Sequence, residues 1–161
     1  MTQPRIRITN PAFGEITRYS PVLSATGLTF TGSNSTYPTY NSYYVKNGQM
    51  VSFWIEVNLS TVTNFGTGQY KVDLPFTPYA TTMNHFPAWT WVDPAVNPDM
   101  AEHVILQADH TAGNKTLDLH WVGLATPNPK PVIEHIFTQG SPVTLTTLSK
   151  IYINGTYFTS N

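Results

Sequence analysis

The stretch Tyr43-Tyr44-Val45-Lys46-Asn47-Gly48-Gln49-Met50-Val51-Ser52-Phe53-Trp54-Ile55-Glu56-Val57-Asn58-Leu59 holds two runs of strand-forming residues around Asn47-Gly48. Asn-Gly is the strongest short-range hairpin signal, because a two-residue type I′ turn needs positive φ at both central positions. Counting outward from such a turn pairs Lys46 with Gln49, Val45 with Met50, Tyr44 with Val51 and Tyr43 with Ser52. On the second strand Val51, Phe53, Ile55, Val57 and Leu59 then share one face, while Ser52, Glu56 and Asn58 share the other. This is the period-two pattern of a strand buried on one side. Trp54 falls on the polar face, which is anomalous for a monomer and natural for a subunit contact.

Outward from this hairpin the same grammar repeats. Gln69–Phe76 alternates, with Tyr70, Val72, Leu74 and Phe76 on one face, and Pro75 and Pro78 close it. Ser60–Gly68 reads as a turn-rich connection. Met83–Trp91 is aromatic and broken by Pro87. His103–Asp109 and Thr116–Val122 form a second hairpin, in which Val104, Leu106 and Ala108 oppose Trp121, Leu119 and Leu117. A one-residue slip would place Leu106 opposite Asp118 and split the apolar set. That register leaves His103, Ile105, Gln107, Asp118 and His120 on the other face. Val132–Thr138, Pro142–Leu148 and Lys150–Phe158 are further strands, the last with a turn or bulge at Gly155.

No window carries a helical period. Many short strands with frequent turn signals predict an all-β fold, an antiparallel β-sandwich of jelly-roll type. The 161 residues make one domain, residues 19–161, preceded by an arm or edge strand over 1–18. In that arm Arg5-Ile6-Arg7-Ile8-Thr9 alternates until Asn10-Pro11 breaks it.

Composition narrows the function classes. Charged residues are 11% of the chain and the net charge is −1, against about 25% charged in an average soluble protein. Without a basic face, a nucleic-acid partner is not expected. The 24 Thr, 10 Ser and 12 Asn carry the polarity instead. There is no cysteine, which excludes disulfides and thiolate-bound metal and suits assembly inside a cell. No signal peptide is read at the N-terminus, and no apolar run reaches the ~18 residues of a membrane helix.

Chemistry-bearing constellations are thin. The five histidines show no recognised metal spacing. Asp118-x-His120 does place two ligand types on one strand face, with His103 as a conceivable third; a polar outer surface is the reading adopted, with no metal and no cofactor. No G-x-S-x-G elbow or glycosidase carboxylate pair stands out, so no catalytic residue is assigned and the chain is not expected to be an enzyme. Aromatic residues speak more clearly. Trp89 and Trp91 lie at i and i+2, on one side of a strand. Exposed, they form a platform for a sugar or a neighbouring subunit; buried, they are core. Tyr37, Tyr40 and Tyr43 sit among polar residues, a composition common in contact surfaces. Tyr37, Tyr40, Tyr43, Trp54, Trp89, Trp91, His103 and His120 are therefore the candidate subunit or glycan contacts.

Tyr44-Val45-Lys46-Asn47-Gly48-Gln49-Met50-Val51-Ser52-Phe53, followed by Gly66-Thr67-Gly68-Gln69-Tyr70-Lys71-Val72-Asp73-Leu74-Pro75-Phe76-Thr77-Pro78, resembles a β-sandwich module of tailed-bacteriophage virion proteins. The likeness covers roughly residues 19–80, and Ile151–Tyr157 is compatible with it. It implies a non-catalytic homotrimer on the particle surface, assembled in the host cytoplasm, as a capsid decoration, head-fibre or tail-fibre protein. The implied partners are further copies of the chain, the major capsid or another virion protein, and for a tail-associated receptor binder a host surface glycan. Fibre proteins carry such a module behind a long stalk, whereas here it begins close to Met1. That difference favours a small decoration or cement protein, attached through Arg5, Ile6, Arg7 and Ile8.

Overall fold

Among the described residues, ten strands account for the regular structure: β1 (Ile16–Arg18), β2 (Leu23–Phe30), β3 (Tyr43–Asn47), β4 (Met50–Asn58), β5 (Val62–Asp73), β6 (Asn84–Trp91), β7 (His103–His110), β8 (Thr116–Leu124), β9 (Val132–Ile136) and β10 (Lys150–Phe158). The computed structural model describes residues 14–31, 41–79, 84–98, 102–110, 113–124 and 132–159. Every strand pairing is antiparallel. The all-β antiparallel class expected from the sequence is the class of the structure.

The strands form one path, β1-β3-β4-β10-β6-β7-β8-β5-β2, with β9 attached to β8. At ~4.8 Å per strand a flat sheet of this width would hold its two end strands about 38 Å apart. Yet β1 and β2, at opposite ends of the path, are joined only by Tyr19-Ser20-Pro21-Val22, and five extended residues reach at most about 18 Å. The sheet must therefore curl. The linker spans the gap visibly: the Tyr19 amide donates to Ser42 beside β3, and Asp73 of β5 donates to Val22. The two halves of the half-barrel face each other across one core, as sandwich layers do.

Strand alternation fills that core. Val51, Phe53, Ile55 and Val57 of β4, Ile151, Ile153 and Tyr157 of β10, and Tyr70 and Val72 of β5 with Leu74 just beyond it are buried in one cluster. Leu106 and Ala108 of β7 and Leu117 and Leu119 of β8 close it from the other side. Phe53, Phe86 and Tyr157 meet edge-on at 5.1–6.2 Å, the geometry that ring quadrupoles favour.

Both expected hairpins form with the expected faces, and both sit two residues away from the expected register. Asn47 pairs with Met50, Tyr44 with Phe53 and Tyr43 with Trp54, so Gly48-Gln49 is the loop and Asn47 belongs to the strand. Gly48 has φ +58° at the first central position, where both primed hairpin turns require a positive value. In the second hairpin Leu106 pairs with Trp121 and Ala108 with Leu119. Shifts of two preserve the face, which is why alternation alone does not detect them.

Four other expectations change. Residues 62–68 are not a connection but the first half of β5, whose pairing with β2 shifts register between Ser24 and Thr26. Gly68 (φ +80°) lies inside this bulge, and Gly66 (φ +66°) follows on the regular ladder, where a Cβ would collide with the Thr26 carbonyl and the Leu28 amide. Pro87 does not break β6. The β10 ladder reaches only Ala88–Trp91, so the proline sits where no amide is asked for on that side. Gly155 is no bulge either, since β10 pairs with β4 without interruption from Lys150 to Phe158. A Cβ at Gly155 would fall inside the Phe86 ring; the glycine is the hole that Phe86 fills.

Residues 142–148 are not a strand. Val143 and Leu145 are buried all the same, because two side-chain amides stand in for a missing neighbour. Asn97 donates to the Thr144 carbonyl at 3.0 Å and accepts from its amide at 3.0 Å. Gln139 does the same for Leu145, at 3.1 Å each way.

Candidate functional site

The outward parity of the sheet brings the chain's unusual side chains together. Strand register lines them up in rows across neighbouring strands. Tyr43, Trp54 and Asn154 form one row. Glu56, Tyr152, Trp89 and Ile105 form the next. Asn58, Lys150, Trp91 and His103 form a third. Ala88 and Thr90 take the buried positions of β6, so both Trp89 and Trp91 face outward and neither is core.

Three rings touch at the centre of this face. Trp89 stacks on Tyr152, with centroids 5.3 Å apart and planes 15° from parallel. Trp54 meets Trp89 edge-on at 5.6 Å and lies 6.2 Å from Tyr152. Towards β1 the face becomes a shallow apolar groove lined by Ile16, Tyr43, Val45, Ser52 and Trp54. The Arg18 guanidinium lies 5.4 Å above the Tyr43 ring, a cation–π contact. Lys150 and Glu56 are paired at 3.4 Å. Ile105 is 76% exposed, Ile16 71% and Trp54 36%. Isolated exposed apolar residues are ordinary; here Trp54, Trp89 and Tyr152 adjoin one another among the polar Glu56, Lys150 and Asn154.

Further along the same outer face, on β6–β7–β8–β5, the character turns polar. Asp109 sits between two imidazoles, with His85 Nδ1 at 2.5 Å and His120 Nε2 at 3.8 Å. The Gln107 amide donates to Asp109 at 2.9 Å, and Gln69 Nε2 lies 2.9 Å from His120 Nε2. Asp118, directly across the ladder from Asp109, is compensated by Lys71 at 2.9 Å. Asp118 thus has a lysine partner, while Asp109 accepts a hydrogen bond from the Gln107 amide and lies beside the two imidazoles.

The residues singled out from the sequence divide clearly. Tyr43, Trp54, Trp89, Trp91, His103 and His120 share this outer face, with His120 in the polar half and the others in the apolar half or at its border. Tyr37, Tyr40 and the arm residues Arg5, Ile6, Arg7 and Ile8 lie outside the described residues. The His103–Asp118–His120 grouping does not assemble: Asp118 faces Asp109, six residues along β7 from His103 and so about 20 Å away. Among the described residues no cluster of three His, Asp or Glu side chains suits a metal ion. Sequence reading missed Tyr152, named Ile105 without weight and passed over Ile16. The signal for the first two was an apolar or aromatic residue on the otherwise polar parity of its strand, the same signal that singles out Trp54.

The fold and face together define an antiparallel all-β protein with aromatic rings clustered on its outer face. Compared with family models, curated proteins and solved structures, the chain matches none of them.

Proposed function

We propose that this protein is a non-catalytic structural component of a bacteriophage particle, a homotrimeric decoration, cement or short-fibre protein held on the particle surface. The observation that carries the structural role is the outer face centred on Trp54, Trp89 and Tyr152. At its margins the largely exposed Ile105 and Ile16 stand to gain up to about 1.5–3 kcal/mol each on full burial. The phage setting rests on the resemblance of residues 44–53 and 66–78 to virion modules. The segment Arg5–Ile8 is the attachment arm, adding as a strand to a neighbour's sheet edge.

The test is incorporation into particles. Virions assembled with the full chain are expected to carry it at a fixed copy number, visible as surface density by electron microscopy. Those assembled with a chain lacking residues 1–13, upstream of β1, are expected to lack it, while the truncated protein retains its β-sheet spectrum. A truncation that incorporates normally overturns the arm, and absence from particles overturns the virion role.

A second reading, recognition of a host surface glycan, draws on Trp54, whose half-exposed ring stands beside Trp89 at the lip of the groove. Trp54→Ala, Trp89→Ala and Trp91→Ala are then expected to abolish adsorption to cells while leaving the fold intact; unchanged adsorption ends that reading.

A further inference from the structure

Two asparagines in the chain are followed by glycine, Asn47 and Asn154, and the fold treats them oppositely. An Asn-Gly pair is chemically labile. With no Cβ on the second residue, its backbone nitrogen can approach the side-chain carbonyl carbon of the first. Closing that five-membered ring requires the peptide plane between the two residues to turn away from strand geometry. Asn154-Gly155 sits inside β10, where Asn154 pairs with Trp54 and Gly155 with Phe53. The space a Cβ would take at Gly155 is filled by the Phe86 ring, so turning that plane means pulling β10 out of the sheet. Asn47-Gly48 lies instead at the exposed tip of the β3–β4 hairpin. Gly48 has φ +58° and nothing stands within 4 Å of the position a Cβ would occupy there. Among the described residues no backbone hydrogen bond holds its amide.

We propose that Asn47 is a site of spontaneous deamidation, through which the turn that sets the β3–β4 register is slowly remade. The Gly48 nitrogen gives up its proton to solvent base and bonds to Asn47 Cγ. The Cγ–Nδ2 bond breaks, and ammonia leaves with a proton returned from solvent. Water then opens the resulting succinimide. Cleavage of the new Cγ–N bond gives aspartate. Cleavage of the original bond between the Asn47 carbonyl carbon and the Gly48 nitrogen gives isoaspartate, whose main chain runs through Cβ and is one methylene longer. Either product adds a negative charge to a chain whose net charge is only −1. The strand pairing decides where the extra length goes. Beyond the turn the Gln49 carbonyl accepts from the Thr159 amide at 2.8 Å and Met50 pairs with Phe158, so β4 is fastened to β10. On the other side, β3 has only β4 and the three-residue β1 as sheet neighbours, and it is the strand that shifts. Tyr43 and Val45, which line the groove, shift with it.

The test holds the purified full chain in mildly alkaline buffer, once folded and once in urea, and maps its peptides by mass over time. In the folded chain Asn47 is expected to convert at least ~10-fold faster than Asn154, whose reaction waits on opening of the sheet. In urea, where no sheet holds either site, the two are expected to react at similar rates. Asn47→Gln is expected to remove the early acidic species seen on ion exchange, because the longer side chain closes a less favourable ring; the comparison within the wild type stands whether or not that variant folds. Equal rates at the two sites in the folded chain overturn the proposal, and so does an Asn47 that converts only in urea. Hydrogen exchange on the isoaspartate fraction reads the structural consequence. Amide protection is expected to fall in β3 and to persist in β4 and β10, and unchanged protection in β3 overturns the remaking of the turn.

Discussion

Two tyrosines of the core face the same physical problem and solve it differently. The Tyr157 hydroxyl is buried, donating to the Phe76 carbonyl at 2.9 Å and accepting from the Phe76 amide at 3.0 Å. It thereby ties the end of β10 to the segment leaving β5. The buried Tyr19 hydroxyl finds no hydrogen-bond partner among the described residues, although its ring packs edge-on against Tyr44 at 5.8 Å. Removing a partnered hydroxyl strands two backbone groups, whereas removing an unpartnered one strands none. Tyr157→Phe is therefore expected to cost about 1–3 kcal/mol in urea unfolding, and Tyr19→Phe to cost less than about 0.5 kcal/mol or to stabilise. Equal losses in the two variants would contradict this account. Neither role is legible in the sequence, where nothing tells the two hydroxyls apart.

Among the elements, the segment 142–148 departs most from its pattern. Its alternating Val143 and Leu145 are genuine core residues, but among the described residues no strand pairs with it, and the amides of Asn97 and Gln139 take the place of a ladder. Asn97→Ala or Gln139→Ala leaves a backbone donor and acceptor without partners, an expected loss of about 2–4 kcal/mol. Hydrogen exchange localises the effect. The Thr144 amide is expected to lose protection in the first variant and the Leu145 amide in the second, while β4 and β10 keep theirs; uniform loss across the sheet would argue against side-chain pinning. The two hairpins teach a related lesson. Val51, Phe53, Ile55 and Val57 were correctly assigned to the core, and Trp54 correctly to the outside. Even so, Tyr44 was matched to Val51 rather than Phe53, because it is the turn and not the alternation that sets the offset.

At the scale of the whole molecule, the curled sheet encloses three tyrosines whose ionisation it opposes. Burial raises the phenol pKa of Tyr19, with the nearby Tyr157 and Asp73 adding to it. Burial alone raises that of Tyr70. For Tyr157 burial raises it, outweighing the hydrogen bond to Phe76, which lowers it, and Tyr44 adds to the rise. Above an unfolded-state value near 10 the unfolded chain has released protons that the folded chain still holds. The unfolded state then binds fewer protons, and stability falls as pH rises. Stability is expected to be insensitive to these groups below about pH 9 and to decline above about pH 10, by up to one proton for each of the three tyrosines. Urea midpoints measured across that range check it; Tyr70→Phe should flatten the decline, and no decline at all would refute it.

The division of labour between chain and fold is clear in particular residues. Alternation along Met50–Leu59 and His103–Asp109 was enough to establish an antiparallel all-β protein, to say which side chains are core, and to mark Trp54 as misplaced for a monomer. It could do so because side-chain direction repeats every two residues. For the same reason it was blind to two-residue shifts, and so could not place Trp89 against both Tyr152 and Ile105, or bring Ile16 to the same surface. Those neighbours come from strands far apart in the chain. They meet because of how the turn at Gly48, the bulge at Gly68 and the four-residue link from β1 to β2 bend one sheet around one core. The aromatic face is written residue by residue in the sequence, and it becomes a surface only when long-range pairing sets its rows in line.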